Sequence, residues 1–403
     1  MATSVSSGNS PLSGIKILDF STLLPGPFAS KMLLDMGADV IRIEAPDRPD
    51  LVRFMPPFVD GESASHRLLN SGKKSVALDL KKPQSVELIK SIIDQYDIVI
   101  EQFRPGVMAK FGLDYDSLKA IHPGLIYCSI TGYGQTGPLA QRAGHDINYL
   151  ALAGAADYSR RSGEKPSPYS IQVADIAGGS HHAVMAILAA LYQRDVQKIS
   201  SADELQGQYL DIAMADAALA MNGMAAASAL GGDDILPQQQ ILHAKSYYDF
   251  YETKDGRYFS VGSLEPKFIT GLCQVIGQPH MVGKAISQRP EDIAEFKQLL
   301  TDFFLQRDFD TLEQIFAPRD LCVEPVVSLC QALAHPHFIE RGMIKPGSCG
   351  GELGSPLPFS SPDSSESNNR SLDKLGQSTT EFLRQHHLSE MDIQQLKHDG
   401  AIK

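Results

Sequence analysis

From Ile15 the chain reads IKILDFS, a Pro/Gly turn (LPGPFA), a helical stretch to Met36, a stop at Gly37 and a second apolar run, DVIRIEA. Short apolar runs bounded by turn residues predict strands, and the longer stretch between them predicts a helix, so the segment predicts a βαβ unit. The rhythm then repeats. SVALDL (Ser75 to Leu80) predicts a strand, Pro83 opens a helix at its first turn, DIVIEQF (Asp97 to Phe103) predicts the next strand, and LIYCSITGYG adds another near Leu125. Strands alternating with helices place the chain in the α/β class, with a parallel sheet flanked by helices.

After residue 140 the pattern turns helical. GHDINYLALAGAAD begins one helix and ADIAGGSHHAVMAILAALYQRD a longer one, apolar almost all round at its centre, which belongs in a core. The polar stretch Val196 to Gln206 predicts a surface loop. From about Gln238, YDFYETKDGRYFSVGS predicts two aromatic-rich strands around a Lys-Asp-Gly turn. The stretch SSPDSSESNNRS predicts a polar linker, and LDKLGQSTTEFLRQHHL a final helix. The expected division is a disordered tail over 1–11, a large α/β domain over 12–210, a linker over 211–237, a small α+β domain over 238–330, and a return linker with a C-terminal helix packing on the large domain over 331–403.

Composition narrows the function. The 403 residues are 43% hydrophobic, ample for a buried core, and the net charge of -12 repels a polyanion, so no nucleic-acid partner is expected. Five cysteines (Cys128, Cys273, Cys322, Cys330, Cys349) without a CxxC pair argue against a disulfide framework or a structural zinc site. The Ser-rich N-terminus lacks the basic and apolar regions of a signal peptide, and the apolar run Ala183 to Leu191 is about half a bilayer span. A cytoplasmic protein with no membrane partner is therefore expected. No GxGxxG follows the first strand, and neither GxxxxGK[ST] nor HExxH occurs, which removes the main support for nicotinamide, ATP and zinc-protease chemistry. His335 and His337 have a ligating spacing but no third ligand motif nearby, so no metal is expected.

Two residues remain as chemistry. Asp175 precedes the long helix and, taken alone, reads first as an N-cap; as a carboxylate held ionised at a helix start it is also available as a base or nucleophile. Gly178 and Gly179 in the first turn weaken that helix and suggest close approach of a ligand. His145 lies beside Asp146, itself a plausible cap, and an imidazole can take or return a proton near physiological pH.

The ordered blocks PLSGIKILDFSTLLPGPFASKMLLDMGADVIRIEAP, GKKSVALDL, RPGVMAKFGLDYDSL, LIYCSITGYGQTGP, GHDINYLALAG, VADIAGG, DGRYFSVGSLEPKF, CVEPVV and AHPHFIERGM span nearly the whole chain. Together they make the sequence resemble the family III CoA-transferases, and within them the α-methylacyl-CoA racemase branch. The resemblance implies a Rossmann-like large domain, a smaller α+β domain and an interlocked homodimer. It places the catalytic Asp at Asp175 and the racemase histidine at His145, and suggests that Glu265 tunes that histidine across a subunit boundary. The bland alternative for Glu265 is that it merely opens a helix before Pro266. Family transferases use the Asp alone, as a nucleophile forming a mixed anhydride. Racemisation needs a base on each face of a planar enolate, so the histidine decides between the two chemistries. A backbone N–H must also stabilise the enolate oxygen, and Ile176 and Ala177 are the expected donors.

The implied substrate is an acyl-CoA thioester, and no separate cofactor is needed. The phosphates of coenzyme A call for gathered positive charge, for which Arg42, Lys73, Lys74 and Arg104 are the candidates. Leu78, Asp79, Leu80 and Lys81 are implied along the nucleotide half, and Gly144, Asp146, Ile147, Asn148 and Tyr149 at the thioester end. Racemases often carry an arginine in a DRP-like segment after the second strand, whereas this chain has Ala45 in EAP, and LHAKSYYDFY departs from the usual run before the hairpin. The expected activity is interconversion of (R)- and (S)-2-methylacyl-CoA. The alternatives are CoA transfer through Asp175 and a catalytically silent acyl-CoA-binding protein.

Overall fold

The computed structural model describes residues 10–199, 206–345, 351–357 and 370–402. The expected N-terminal tail and the Ser-rich linker lie almost wholly outside the described residues. The chain forms two compact units. One comprises residues 1–153, 169–222 and 339–403, and the other residues 154–168 and 223–338.

The first unit is built on six strands: β1 (Lys16–Asp19), β2 (Asp39–Glu44), β3 (Lys74–Ala77), β4 (Ile98–Glu101), β5 (Ile126–Thr131) and β6 (Gln208–Ala213). Every neighbouring pair is parallel, in the order β3-β2-β1-β4-β5-β6. Because helices cover both faces, the central strands are apolar without interruption: Ile17, Leu18, Val99, Ile100, Cys128 and Ile130 are all fully buried. α1 (Pro25–Asp35) follows β1, and α2 (Pro83–Ile92) starts with Pro83 in its first turn, where a missing N–H costs nothing. α2 buries Val86, Leu88, Ile89 and Ile92 in the same core as Phe382, Leu383, Ile393 and Leu396 from the C-terminal helices Thr379–Gln385 and Glu390–His398. Two helices thus stand where one was expected, and the second is started by Ser389, whose hydroxyl caps Asp392 N–H at 3.2 Å.

α3 (Asp146–Leu152) is followed by a π-helical segment (Ala174–His181), which continues as α4 (His182–Ile199). The helix therefore runs through Val196–Ile199, where a loop was expected, and residues 200–205 of that loop are outside the described residues. By length and composition Ala174–Lys198 is apolar enough to cross a bilayer, but half of its apolar 18-residue window is buried inside the protein. Nor is 211–237 a linker, because it holds the end of β6, α5 (Met214–Met221) and α6 (Gly223–Leu230). The alanines and methionines there favour helix and offer no polar break.

In the second unit β7 (Asp249–Glu252) and β8 (Tyr258–Val261) form the expected hairpin, closed by Gly256 at φ 77°, and β9 (Val323–Pro325) adds a third antiparallel strand. Phe259 is buried against Phe304, Phe309 and Phe316, with ring centroids 4.9–6.2 Å away.

Candidate active site

β1 continues to one side of the sheet and β4 to the other, so the connections leaving their carboxyl ends diverge, and a doubly wound sheet places its ligand crevice at that switch point. The loop after β1 is fixed there. Asp50, buried and ion-paired with Arg42, accepts from Leu23 N–H at 3.1 Å and holds Leu23 at φ 63°. Gln102, just beyond β4, accepts from Gly26 N–H at 2.9 Å; a side chain at Gly26 would meet Ser21 and Gln102. Between these loops opens a cavity of about 830 Å³ lined by Leu23, Pro25, Gln102, Arg104, Thr131, His145, Asn148 and Asp175 among others. Both expected bases, one on each side of a 30-residue gap in sequence (175 − 145), reach this cavity.

His145 stands at the head of α3, where its N–H donates to Asn148 Oδ1 at 3.0 Å. Tyr149, one position further along, is wedged between the backbones of Gly132 and Gly144 and donates to Gly144 O at 2.6 Å. The imidazole is thereby mounted on a short helix clamped by its own aromatic residue.

Asp175 is not an N-cap. It is the second residue of the π-helical segment, whose cap position is Val173, and the capping is done from outside by Asp146. Asp146 Oδ1 accepts from Ala174 N–H at 2.7 Å and from Asp175 N–H at 3.0 Å. Nor is Asp175 held ionised by its helix. Burial, and then the negative charge of Asp146, push its carboxyl up to about 6, against the pull of His145. Gly178 and Gly179 turn out to serve packing, since side chains there would press on Met214 and Pro25, so a bound ligand is not needed to explain them. Of the two expected oxyanion donors, Ile176 N–H is already given to Gln172 O at 2.9 Å.

The expected phosphate contacts divide sharply. Arg42 is 1% exposed, spent on Asp50, on Glu44 at 3.5 Å and on His66 at 3.1 Å. Lys73 is 3% exposed, bonded to Pro27 O and Ser30 Oγ at 2.8 Å, and burial brings its ammonium down to about 7. Neither can meet a phosphate. Lys74 starts β3, at the amino edge of the sheet, where it lines a different cavity and lies 3.5 Å from Glu381. Arg104 does line the main cavity.

A second cavity of about 360 Å³ lies beside the first and shares Leu23 and Phe103 with it. It is lined by Phe20, Ile43, Leu78, Asp79, Leu80 and Lys81, with Arg48 at its lip. Arg48 was not among the cations expected from the sequence. The Asp47-Arg48-Pro49 segment directly follows EAP, so a DRP segment stands two residues beyond Ala45. Arg142, on the wall of the main cavity, was missed as well, having no motif of its own. Ile147 is exposed on α3. Glu265, in the second unit, precedes Pro266–Val275 as its N-cap residue without a side-chain capping bond.

A doubly wound α/β protein with an imidazole and a half-buried carboxyl facing one switch-point cavity belongs to the enzymes that act on a bound small molecule at this edge of the sheet. The family model for CoA-transferase family III matches residues 12–373, and the chain belongs to that family, whose members are enzymes. It is 32% identical over 397 residues to the alpha-methylacyl-CoA racemase of Mus musculus, covering 97% of both chains. It is also 31% identical over 340 residues to the succinyl-CoA:glutarate CoA-transferase of Homo sapiens, covering 83% of this chain and 76% of that one. The crystal structure of a CAIB/BAIF family protein from Brucella suis superposes with a TM-score of 0.77 at 29% identity, over 94% of this chain and 100% of that one.

Proposed function

We propose that this chain is a racemase that interconverts (R)- and (S)-2-methylacyl-CoA. The observation that carries this is the pairing of His145 and Asp175 in one cavity, each held on a fixed element. One base removes the α-proton, the C–H electron pair moves into the thioester as an enolate, and the other base returns a proton to the opposite face. A carboxyl held near 6 suits that duty, because it takes and gives up a proton close to working pH. Enolate charge would be met by the first-turn amides of α3, at Asp146 and Ile147, which by position have no intrahelical acceptor. The nucleotide half of coenzyme A would occupy the second cavity, its adenine between Ile43 and Leu80 and its phosphates toward Arg48 and Lys81. A homodimer in which Glu265 tunes His145 belongs to the same proposal.

Similarity to a transferase favours one second reading. In it the Asp175 carboxylate attacks the thioester carbonyl, the CoA thiolate leaves, and the mixed anhydride passes its acyl group on. Incubation with (S)-2-methylacyl-CoA in deuterium oxide separates the two. Uptake of α-deuterium together with loss of optical purity is expected, and no exchange would refute the racemase. Capture of an Asp175 acyl adduct by hydroxylamine would speak for transfer.

A further inference from the structure

Asp146 has a place that neither chemistry explains by itself. It follows His145 directly, as the first residue of α3, and its carboxylate holds the amides of Ala174 and of Asp175, 28 and 29 residues further on. An asparagine, whose Oδ1 stands where that of aspartate does, would cap those amides without adding charge. Instead the chain sets one carboxylate against another, at a cost in repulsion.

Resting on the racemase reading, we propose that Asp146 is the positioning residue of the site: it straps the segment bearing Asp175 to the helix bearing His145 and places a fixed negative charge beside Asp175. The strap sets the separation of the two bases, since it joins the residue next to one base to the backbone of the other. Added to burial, which is the larger influence, the charge makes Asp175 a readier proton acceptor than an isolated aspartate and keeps part of it protonated near neutrality, so that it can also serve as donor.

Other charged groups do not supply this. Asp175 feels Asp146 and His145, and lies against Tyr149, whose phenol burial pushes up to about 12. On the remaining elements packed against the π-helical segment, Lys31 and Asp35 of α1 pair with each other at 2.6 Å, and Asp216 of α5 is exposed. Cys128 of β5 and Tyr209 and Asp211 of β6 act on one another and on Glu101. His181 and His182 end the segment, with His182 Nδ1 2.6 Å from Ala177 O.

The test compares Asp146→Asn, which keeps an acceptor and loses the charge, with Asp146→Ala, which loses both. Two readouts are taken: the pH profile of α-proton exchange, and the titration of the Asp175 carboxyl by carbon-13 NMR, with its signal assigned by Asp175→Asn. For Asp146→Asn both midpoints should fall by about one pH unit, a shift that a purely structural cap would not cause. For Asp146→Ala kcat should fall roughly 100-fold with KM little changed, as expected when reacting groups move apart by about an ångström. An unmoved Asp175 midpoint in Asp146→Asn overturns the charge role, and an unchanged kcat in Asp146→Ala overturns the strap. Should Asp146→Ala not fold, amide hydrogen exchange at Ala174 and Asp175 in Asp146→Asn decides the strap: protection close to wild type is expected of a retained acceptor, and protection unchanged even in Asp146→Ser, whose side chain is too short to reach, overturns it. If the wild-type protein exchanges no α-proton, the racemase reading fails, while the carboxyl titration still judges Asp146.

Discussion

Replacing Gly132 by alanine should drive Tyr149 from its seat and take the head of α3 with it. An added Cβ would lie 2.5 Å from Tyr149 Cε1, 2.6 Å from its hydroxyl oxygen and 2.7 Å from Cζ. Ordinary contact begins near 3.4 Å, so the ring must retreat by 3.4 − 2.5, about 0.9 Å. It has little room to do so, because its hydroxyl is tied to Gly144 O at 2.6 Å and the Tyr133 ring stands edge-on with its centroid 5.2 Å away. The remaining path breaks the bond from Tyr149 to Gly144 O. Overpacking costs about 1–3 kcal/mol and the lost hydrogen bond about 1 more, so a total of about 2–4 kcal/mol is expected. The assay is a double-mutant cycle with Tyr149→Ala, read by urea unfolding. In the Tyr149→Ala background the Gly132→Ala penalty should shrink below about 0.5 kcal/mol, since the three atoms nearest the added Cβ all belong to the Tyr149 ring and hydroxyl. An equal penalty in both backgrounds would refute the packing argument. In the single variant α-proton exchange should slow along with stability, because His145 and Asn148 share the displaced helix.

Further outcomes follow from the charges. Arg48→Ala should weaken binding of free coenzyme A about fivefold, equivalent to about 1 kcal/mol for an exposed contact, and should flatten its salt dependence; calorimetry at low and high salt checks both. Arg42→Ala, by contrast, should lower stability and leave that salt dependence in place, since Arg42 holds Asp50 and not a phosphate. Glu44 resists burial, which raises its carboxyl, through the Arg53 hydrogen bond and the Arg42 and Arg53 charges, and ends near 2 against an ordinary 4.5. A carboxyl depressed in the folded state stabilises above its unfolded value, so this contribution, roughly 3 kcal/mol, is present above about pH 4.5 and disappears as pH falls towards 2. Glu44→Gln should flatten the acid limb of a stability-against-pH curve, and an unchanged limb would count against the cluster.

The strand and helix alternation was legible because a sheet covered on both faces leaves uninterrupted apolar runs, as in IKILD and DIVIE. The site was legible too, through the GHDINY and VADIAGG blocks. Its chemistry in detail was not. Arg42 looks like any basic residue in VIRIEA, and only the fold brings Asp50 and His66 around it and seals it from solvent. The doublet Gly178-Gly179 signals close approach, yet sequence cannot say that the approaching group is Met214. Asp175 was expected to gain from its helix, whereas burial, and then a carboxylate from 29 residues away that accepts its N–H, raise its carboxyl instead. Each failure has one cause: local sequence specifies a group, and what that group meets depends on partners brought in from afar.

The most direct test of opposed bases follows α-deuterium uptake from each pure enantiomer of a 2-methylacyl-CoA, in deuterium oxide, with His145→Ala and with Asp175→Asn. Each variant should lose exchange from one enantiomer far more than from the other, the two variants should differ in which enantiomer is spared, and neither should invert the centre. Equal loss from both enantiomers in both variants would contradict a site in which His145 and Asp175 serve opposite faces.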